Sequence, residues 1–293
     1  MTTRCGYVAI IGRPNTGKST LFNHFIQTKV SSVSYKPQTT RHRIVGVRSE
    51  KQAQFVFVDT PGIHLGGKKL LNRILNKNAL NVLHDVNLIL WMVDCKSWTR
   101  EEDNILRSLK DIECPVILVL NKIDQLTKRD QLFPILSAIS KKYDFAEIVP
   151  ISALKKDNIS ALLTSSQRYL PESEFFYPEE YITDRDMRFI MAELIRESIF
   201  VHLGAELPYA THVEIESVDE QPGMVHIEAA VWVEKDSQKA IFIGHRGEML
   251  KKIGAGARVA IERSMESKVN LKLWIKVKKD WQNDPQVISE YEK

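Results

Sequence analysis

Apolar residues in the first half of the chain come in short runs separated by polar loops. "YVAIIG", residues 7–12, predicts a buried parallel strand, and the helical spacing of "LFNHFI" follows after one polar loop. A strand over 42–48, then "FVFVD", "VILVLN" and "IVPIS", continue an alternation of short strands and helices that runs to "LLTSSQRYL". That alternation predicts a doubly wound α/β domain over residues 1–170. It breaks at 171–184, where Pro171, Pro178 and many acids read as a linker. Beyond it the order changes. An amphipathic helix, "DMRFIMAELIRESIFVHL", precedes two alternating strands, "THVEIESV" and "VHIEAAVWVE", around the turn "DEQPGM". A short helix "SQKAIFI", the loop "GHRG", a helix from Glu248 to about Met265 and a strand "VNLKLWIKV" complete an α-β-β-α-α-β unit over 185–280. This α+β unit leaves residues 281–293 as a tail. In the last helix Leu250, Ile253, Ala257 and Ile261 have the spacing of a buried stripe.

The loop after the first strand, "GRPNTGKST", has the spacing of a phosphate-binding P-loop, with Gly12, Gly17, Lys18 and Ser19 in place and Asn15, Thr16 and Thr20 beside them. Glycines let successive backbone N–H groups turn toward a polyphosphate, and the helix dipole favours the anion. Lys18 reaches the outer phosphates, and the Ser19 hydroxyl is offered to Mg²⁺.

Further stretches fall in the order that a GTPase requires. "FVFVDTPG" places the Asp59 carboxylate near the Mg²⁺ shell and Gly62 where a backbone N–H senses the terminal phosphate. "VILVLNKID" delivers Asn121, Lys122 and Asp124 to the carboxyl edge of the sheet. Asp124 accepts two hydrogen bonds from guanine's ring N–H and amino group, whereas adenine leaves that carboxylate unpaired at a cost of about 1 to 3 kcal/mol. "IVPISAL" presents Ser152 and Ala153, with a backbone N–H for the guanine carbonyl. Between the first two lies "YKPQTTRHRIVGV", where Thr39 and Thr40 are the candidates to close over Mg²⁺ and the terminal phosphate, Thr40 preferred. Lys18, Thr40, Gly62 and Asn15 are the expected catalytic set, and Ser19, Thr40 and Asp59 the expected metal ligands. Ile63 stands where many small GTPases carry glutamine, and it can neither orient water nor accept a proton. Either hydrolysis is slow and awaits a partner, or another group acts, with His64 a candidate base. A monovalent cation is another: Asn15 occupies the loop position that holds K⁺ in related GTPases lacking the glutamine.

Composition narrows the setting. A chain of 293 residues with 43% hydrophobic and 27% charged residues is ordinary for two globular domains and excludes wholesale disorder. No apolar run approaches the roughly 20 residues of a membrane span, and the amino end lacks the pattern of a signal peptide, so a cytoplasmic protein is expected. Cys5, Cys95 and Cys114 have neither metal-ligand spacing nor an even number for disulfides. The net charge of +4 names no partner, but between Lys235 and Lys279 twelve Lys or Arg face four acids. That basic segment contains "GHRG".

A glycine loop joining two helices within α-β-β-α-α-β order resembles a KH domain of the prokaryotic type. In such domains the loop clamps about four nucleotides of single-stranded RNA, its glycines allowing the backbone to approach. The resemblance implies RNA binding by Gly244, His245, Arg246 and Gly247, with Lys251 and Lys252 one turn later. It gives the basic excess a common face. The P-loop, "PQTTRHRIVG", "DTPGIH", "NKID", "YPEEYITDRDMRF" and the terminal KH unit together resemble the Era family of ribosome-assembly GTPases over nearly the whole chain. That likeness implies a switch using GTP/GDP and Mg²⁺, hydrolysing GTP slowly. It implies binding to the 3′ end region of 16S ribosomal RNA and assistance to 30S subunit assembly and rRNA maturation. A monomer is expected, and peripheral association with the inner face of the cell membrane stays open. A signalling GTPase whose KH fold binds a protein is the alternative. A tRNA-modifying GTPase would carry a carboxyl-terminal cysteine motif, which "NDPQVISEYEK" lacks.

Overall fold

The structure, a computed structural model, describes residues 2–33, 40–61, 82–204, 207–284 and 287. Its first domain is one sheet of β1 (Arg4–Ile11), β2 (Ile44–Glu50), β3 (Ala53–Asp59), β4 (Leu88–Asp94), β5 (Val116–Asn121) and β6 (Glu147–Pro150), in the order β2-β3-β1-β4-β5-β6. Among the described strands of this sheet only β2 and β3 pair antiparallel. Among the described residues its helices are α1 (Lys18–Ile26), α2 (Arg100–Ser108), α3 (Leu132–Ile139) and α4 (Ile159–Gln167). Both faces of the sheet are covered, which is why the strands read as continuous apolar runs. In β1, Val8 and Ile10 enter one core with Phe22, Phe25 and Phe57, while Ala9 and Ile11 enter another with Trp91 and Leu118. Strand order reverses at β1, between β3 and β4, and Asn121 at the carboxyl end of β5 bonds the loops that follow β1 and β6.

The second domain comprises α5 (Met187–His202), β7 (His212–Gln221), β8 (Met224–Val233), α6 (Asp236–Ile243), α7 (Glu248–Met265) and β9 (Val269–Val277). β8 pairs antiparallel with β7 and parallel with β9. The element order is the expected one. The turn is tighter than "DEQPGM" suggests: pairing runs on to Gln221 opposite Met224, so only Pro222 and Gly223 turn. Ile227, Ala229 and Val231 bury one face of the sheet against Ile195 and Ile199 of α5 and Ile253, Ala257 and Ile261 of α7. Leu250, expected in that stripe, is only half-buried, because it lies in the first turn of α7 beside the exposed loop.

Residues 171–184, expected as a linker, form an ordered strap along the first domain. The Pro171 carbonyl accepts from the Cys5 N–H at 3.1 Å, and the Ile182 carbonyl from the Val47 N–H at 2.7 Å. Between these points the buried Gln54 side chain accepts from the Phe176 and Tyr177 N–H groups and donates to the Tyr177 carbonyl, at 2.9, 3.0 and 2.8 Å. Phe175, Tyr177 and Tyr181 cover the small core of Cys5, Val45, Val47 and Val56. Among the described residues no helix is long and apolar enough to cross a membrane.

Candidate functional site

The phosphate loop joins β1 to α1 as expected, with Gly12 at its start and Thr20 in the first turn of α1. Gly17 caps the helix at φ 102, and a Cβ there would lie 2.3 Å from the Asn121 Nδ2. No other residue fits that approach. Asn121 holds the loops together, its amide donating to the Thr16 carbonyl at 2.6 Å while its oxygen accepts from the Ala153 N–H at 2.9 Å. Lys18 is buried, and its Nζ donates to the Arg13 carbonyl of the same loop at 2.9 Å. Asn15 sits exposed at the rim with φ 65.

Three predicted metal ligands converge. The Ser19 and Thr40 hydroxyls are 2.7 Å apart, and the Thr40 hydroxyl lies 3.4 Å from the Asp59 Oδ2. Ser31, which the sequence does not single out, donates to the same oxygen at 2.8 Å. The Asp59 Oδ1 is buried and accepts no hydrogen bond among the described residues. A buried carboxylate oxygen without a donor, beside two hydroxyls, offers the hard oxygen ligands that a divalent cation takes. The residues fit Mg²⁺. Burial raises the Asp59 carboxyl to about 6 against the pull of Lys18, and burial lowers the Lys18 ammonium to about 8 against the pull of Asp59. Thr39, Gly62, Ile63 and His64 lie outside the described residues.

At the base-reading end, Asp124 is exposed and its carboxylate accepts a hydrogen bond from the Ser152 hydroxyl. Lys122, in a left-handed conformation, pairs with Asp94 at 2.8 Å. The Ala153 N–H is held by Asn121, and the Ser152 N–H donates to the Asp157 carbonyl at 3.2 Å. A guanine carbonyl would therefore have to share or displace one of these bonds.

The glycine loop is a single tight turn between α6 and α7. Gly244 ends α6 at φ 70, where a Cβ would meet the Met249 Cβ at 2.8 Å, and Gly247 caps α7 at φ 80. His245, Arg246, Lys251 and Lys252 are all exposed, at the positive end of the α7 dipole. The wider basic segment does not share this face. Lys272 and Lys276 lie on the outer face of β9 and pair across the sheet with Glu228 and Glu216, and Lys278 pairs with Asp284 at 2.8 Å. Residues four apart on a strand share a face, so Lys272 and Lys276 lie on the side of the sheet away from α5 and α7.

The two domains meet at the segment that carries Thr40. Arg41 is 3% exposed, and its guanidinium donates to the carbonyls of Thr211, Tyr209 and Pro208 at 2.7, 2.8 and 3.2 Å. His42 packs edge-on against Phe189 of α5, 5.0 Å between ring centres, and burial drives its imidazole down to about 3. On the other flank Ser32 donates to the Glu193 carboxylate at 2.6 Å and the Val33 N–H to Glu197 at 3.1 Å. Glu193 is itself paired with Arg196 at 2.6 Å. Sequence reasoning misses these residues because they are chemically complete only across the domain interface.

A phosphate loop, a guanine-type "NKID" strand end and a KH fold define a P-loop GTPase joined to a KH domain. A family model described as "50S ribosome-binding GTPase" matches residues 7–122, and one described as "KH domain" matches residues 206–282. The chain is 51% identical over 279 residues to GTPase Era of Marinobacter nauticus, covering 95% of this chain and 92% of that protein. It is 47% identical to GTPase Era of Ectopseudomonas mendocina, covering 98% of this chain and 96% of the relative. Among solved structures, a variant of Aquifex aeolicus Era bound to GDP.AlF4⁻ superposes with a TM-score of 0.94 at 38% identity, covering 99% of both chains. Era in complex with MgGDPNP and nucleotides 1506–1542 of 16S ribosomal RNA superposes with the same TM-score and identity, covering 99% of this chain and 98% of that one. The chain belongs to the Era family of GTPases.

Removing the Asp59 charge should separate stability from function. With its folded value raised from 3.8 to about 6, the buried carboxyl binds more protons in the native state, so the nucleotide-free protein loses stability as pH rises through that window. Asp59→Asn should stabilise the nucleotide-free protein by about 1 to 3 kcal/mol at pH 7.5, seen as a raised thermal midpoint. It should also abolish the Mg²⁺ dependence of nucleotide affinity. A lowered midpoint together with intact Mg²⁺ dependence would contradict the assignment.

Proposed function

We propose that this GTPase is a switch that binds the 3′ end region of 16S ribosomal RNA through its KH loop and assists 30S subunit assembly and rRNA maturation. The observation that carries the reading is the joint at residues 40 and 41: Thr40 lies in the Mg²⁺-type donor set, and the next residue, Arg41, is anchored in the KH domain. The relative bound to both MgGDPNP and 16S ribosomal RNA supports the choice of ligands. Nothing favours a protein partner for the KH fold over RNA. In this reading residues 1–170 are the GTP-binding domain, 171–184 the strap and 185–280 the RNA-binding domain, of a cytoplasmic monomer.

The residues divide the work by chemistry. The amides from Gly12 to Thr20 cradle the phosphates, and Lys18 exchanges the Arg13 carbonyl for an outer phosphate oxygen. Ser19, Thr40 and Asp59 would hold Mg²⁺, which supplies positive charge at the phosphate oxygens when bound. Asp124 reads the guanine edge, with Asn121 and Lys122 framing it. Closure of Thr40 over the terminal phosphate moves the chain at Arg41, and the KH domain with it.

Asn15, at the exposed rim of the phosphate loop, supports a K⁺ ion sharing the catalytic charge. Turnover should then be faster in KCl than in NaCl, and Asn15→Ala should erase the difference. Equal turnover of the parent protein in both salts would remove K⁺ from the reading.

For RNA, replacing both His245 and Arg246 by Asp leaves the two glycines and the turn intact. Affinity for a 16S 3′-end oligonucleotide should fall. Its logarithm should depend less steeply on salt, by about 0.7 per lost phosphate contact, while intrinsic GTP hydrolysis persists. Unaltered affinity and salt slope would show that the loop is only a turn.

A further inference from the structure

The segment that follows β4, residues 94–102, makes a set of contacts that the roles above do not use. Glu102, in the first turn of α2, has a side chain with no solvent exposure at all. A carboxylate is almost never fully buried unless it is paired. One of its oxygens completes a capping box, accepting from the Thr99 N–H at 2.7 Å and the Thr99 hydroxyl at 2.6 Å. That duty is met at exposed helix ends elsewhere and does not call for burial. The other oxygen receives the Arg13 Nε, and the same guanidinium donates to the Ser97 hydroxyl.

Arg13 is the first residue after Gly12 in the phosphate loop. Its side chain points away from the loop to Glu102, while its carbonyl faces inward and accepts from both the Lys18 Nζ at 2.9 Å and the Thr16 hydroxyl at 3.0 Å. The guanidinium thus pins from outside the peptide that organises the loop from inside. The same segment begins at Asp94, whose carboxylate accepts from the Lys96 N–H at 2.9 Å and pairs with Lys122 of the base-reading loop at 2.8 Å. Burial works against the Asp94 charge, but the bonds from Lys122 and Lys96 outweigh it and hold the carboxyl below its ordinary range. One stretch of chain therefore grips both nucleotide-contacting loops through ion pairs.

We propose that residues 94–102 form a bracket that presets the nucleotide site, with Glu102 acting through Arg13 as a positioning residue for the phosphate loop. The bracket is built before nucleotide arrives and touches no phosphate itself. It contributes equally to ground-state and transition-state binding, so its loss raises KM and leaves kcat standing. A helix cap alone would instead set the thermal midpoint and leave KM alone.

The inference rests on the phosphate-loop assignment, and Lys18→Ala tests that separately: it should lose GDP affinity whatever the bracket does. In the full-length chain, Glu102→Gln keeps an acceptor for the Thr99 cap but removes the negative charge that pairs with Arg13. Arg13→Gln removes the other half. Each should weaken fluorescent GDP binding and raise the KM for GTP about tenfold, with kcat within about twofold. The double variant should be no worse than either single one, because the pair acts as a unit. Unchanged GDP affinity in either single variant, or losses that multiply in the double variant, would overturn the bracket. If Lys18→Ala also binds GDP normally, the phosphate-loop assignment itself is wrong.

Discussion

A buried guanidinium demands acceptors from whatever surrounds it, and Arg41 takes three from the second domain while its neighbour Thr40 belongs to the first. The side chains of these neighbouring residues enter opposite domains. A displacement of Thr40 would pull Arg41 against three carbonyls of the second domain. Leaving such acceptors unmade costs about 1 to 3 kcal/mol each, so the domains must move together or break the joint. Ser32 and Val33 tie the other flank to Glu193 and Glu197. Residues 32, 33 and 41, on either side of the predicted switch, are thus bonded to the KH domain.

The nucleotide site illustrates the opposite economy. Asp59 and Lys18 are buried as charges, and each is pushed toward neutrality by its surroundings. In the absence of ligand they oppose folding. A polyphosphate with its divalent cation would satisfy both at once, so its binding free energy would include relief of a cost already present in the fold. At the interface burial keeps His42 and His212 neutral, with values driven down to about 3 and about 4, and protonation below their usual 6.5 works against the native contact.

The sequence makes the fold legible where local pattern and tertiary role coincide. Glycines at 12, 17, 244 and 247, the apolar runs ending at Asp59 and Asn121, and the spacing of α7 all state locally what the structure does globally. The capping box at Thr99 and Glu102 and the aspartate ending "LILWMVD" are also written locally. Their second function, gripping the phosphate loop and Lys122, needs partners 89 and 28 residues away. The strap at 171–184 looks like a linker because its proline and acid content hides the role of Gln54 on a distant strand. Leu250 fits a helical stripe by spacing alone, but an exposed loop beside it limits its burial. The basic count near the carboxyl end is misleading for a geometric reason: a total ignores that the β9 lysines lie on the face of the sheet opposite α7, which carries the glycine loop at its start. Arg41 is least legible, since nothing around it in the chain distinguishes an interdomain anchor from a surface arginine.

The most direct test of the joint compares RNA affinity in the GDPNP-bound and GDP-bound states for the parent protein and Arg41→Ala. The ratio of the two affinities measures the coupling, and linkage makes it independent of which ligand is added first. With the anchor intact the ratio should depart clearly from one. In Arg41→Ala it should collapse toward one while the variant still binds nucleotide and RNA separately. A ratio that survives the substitution unchanged would show that the coupling runs elsewhere and that Arg41 merely fills the interface.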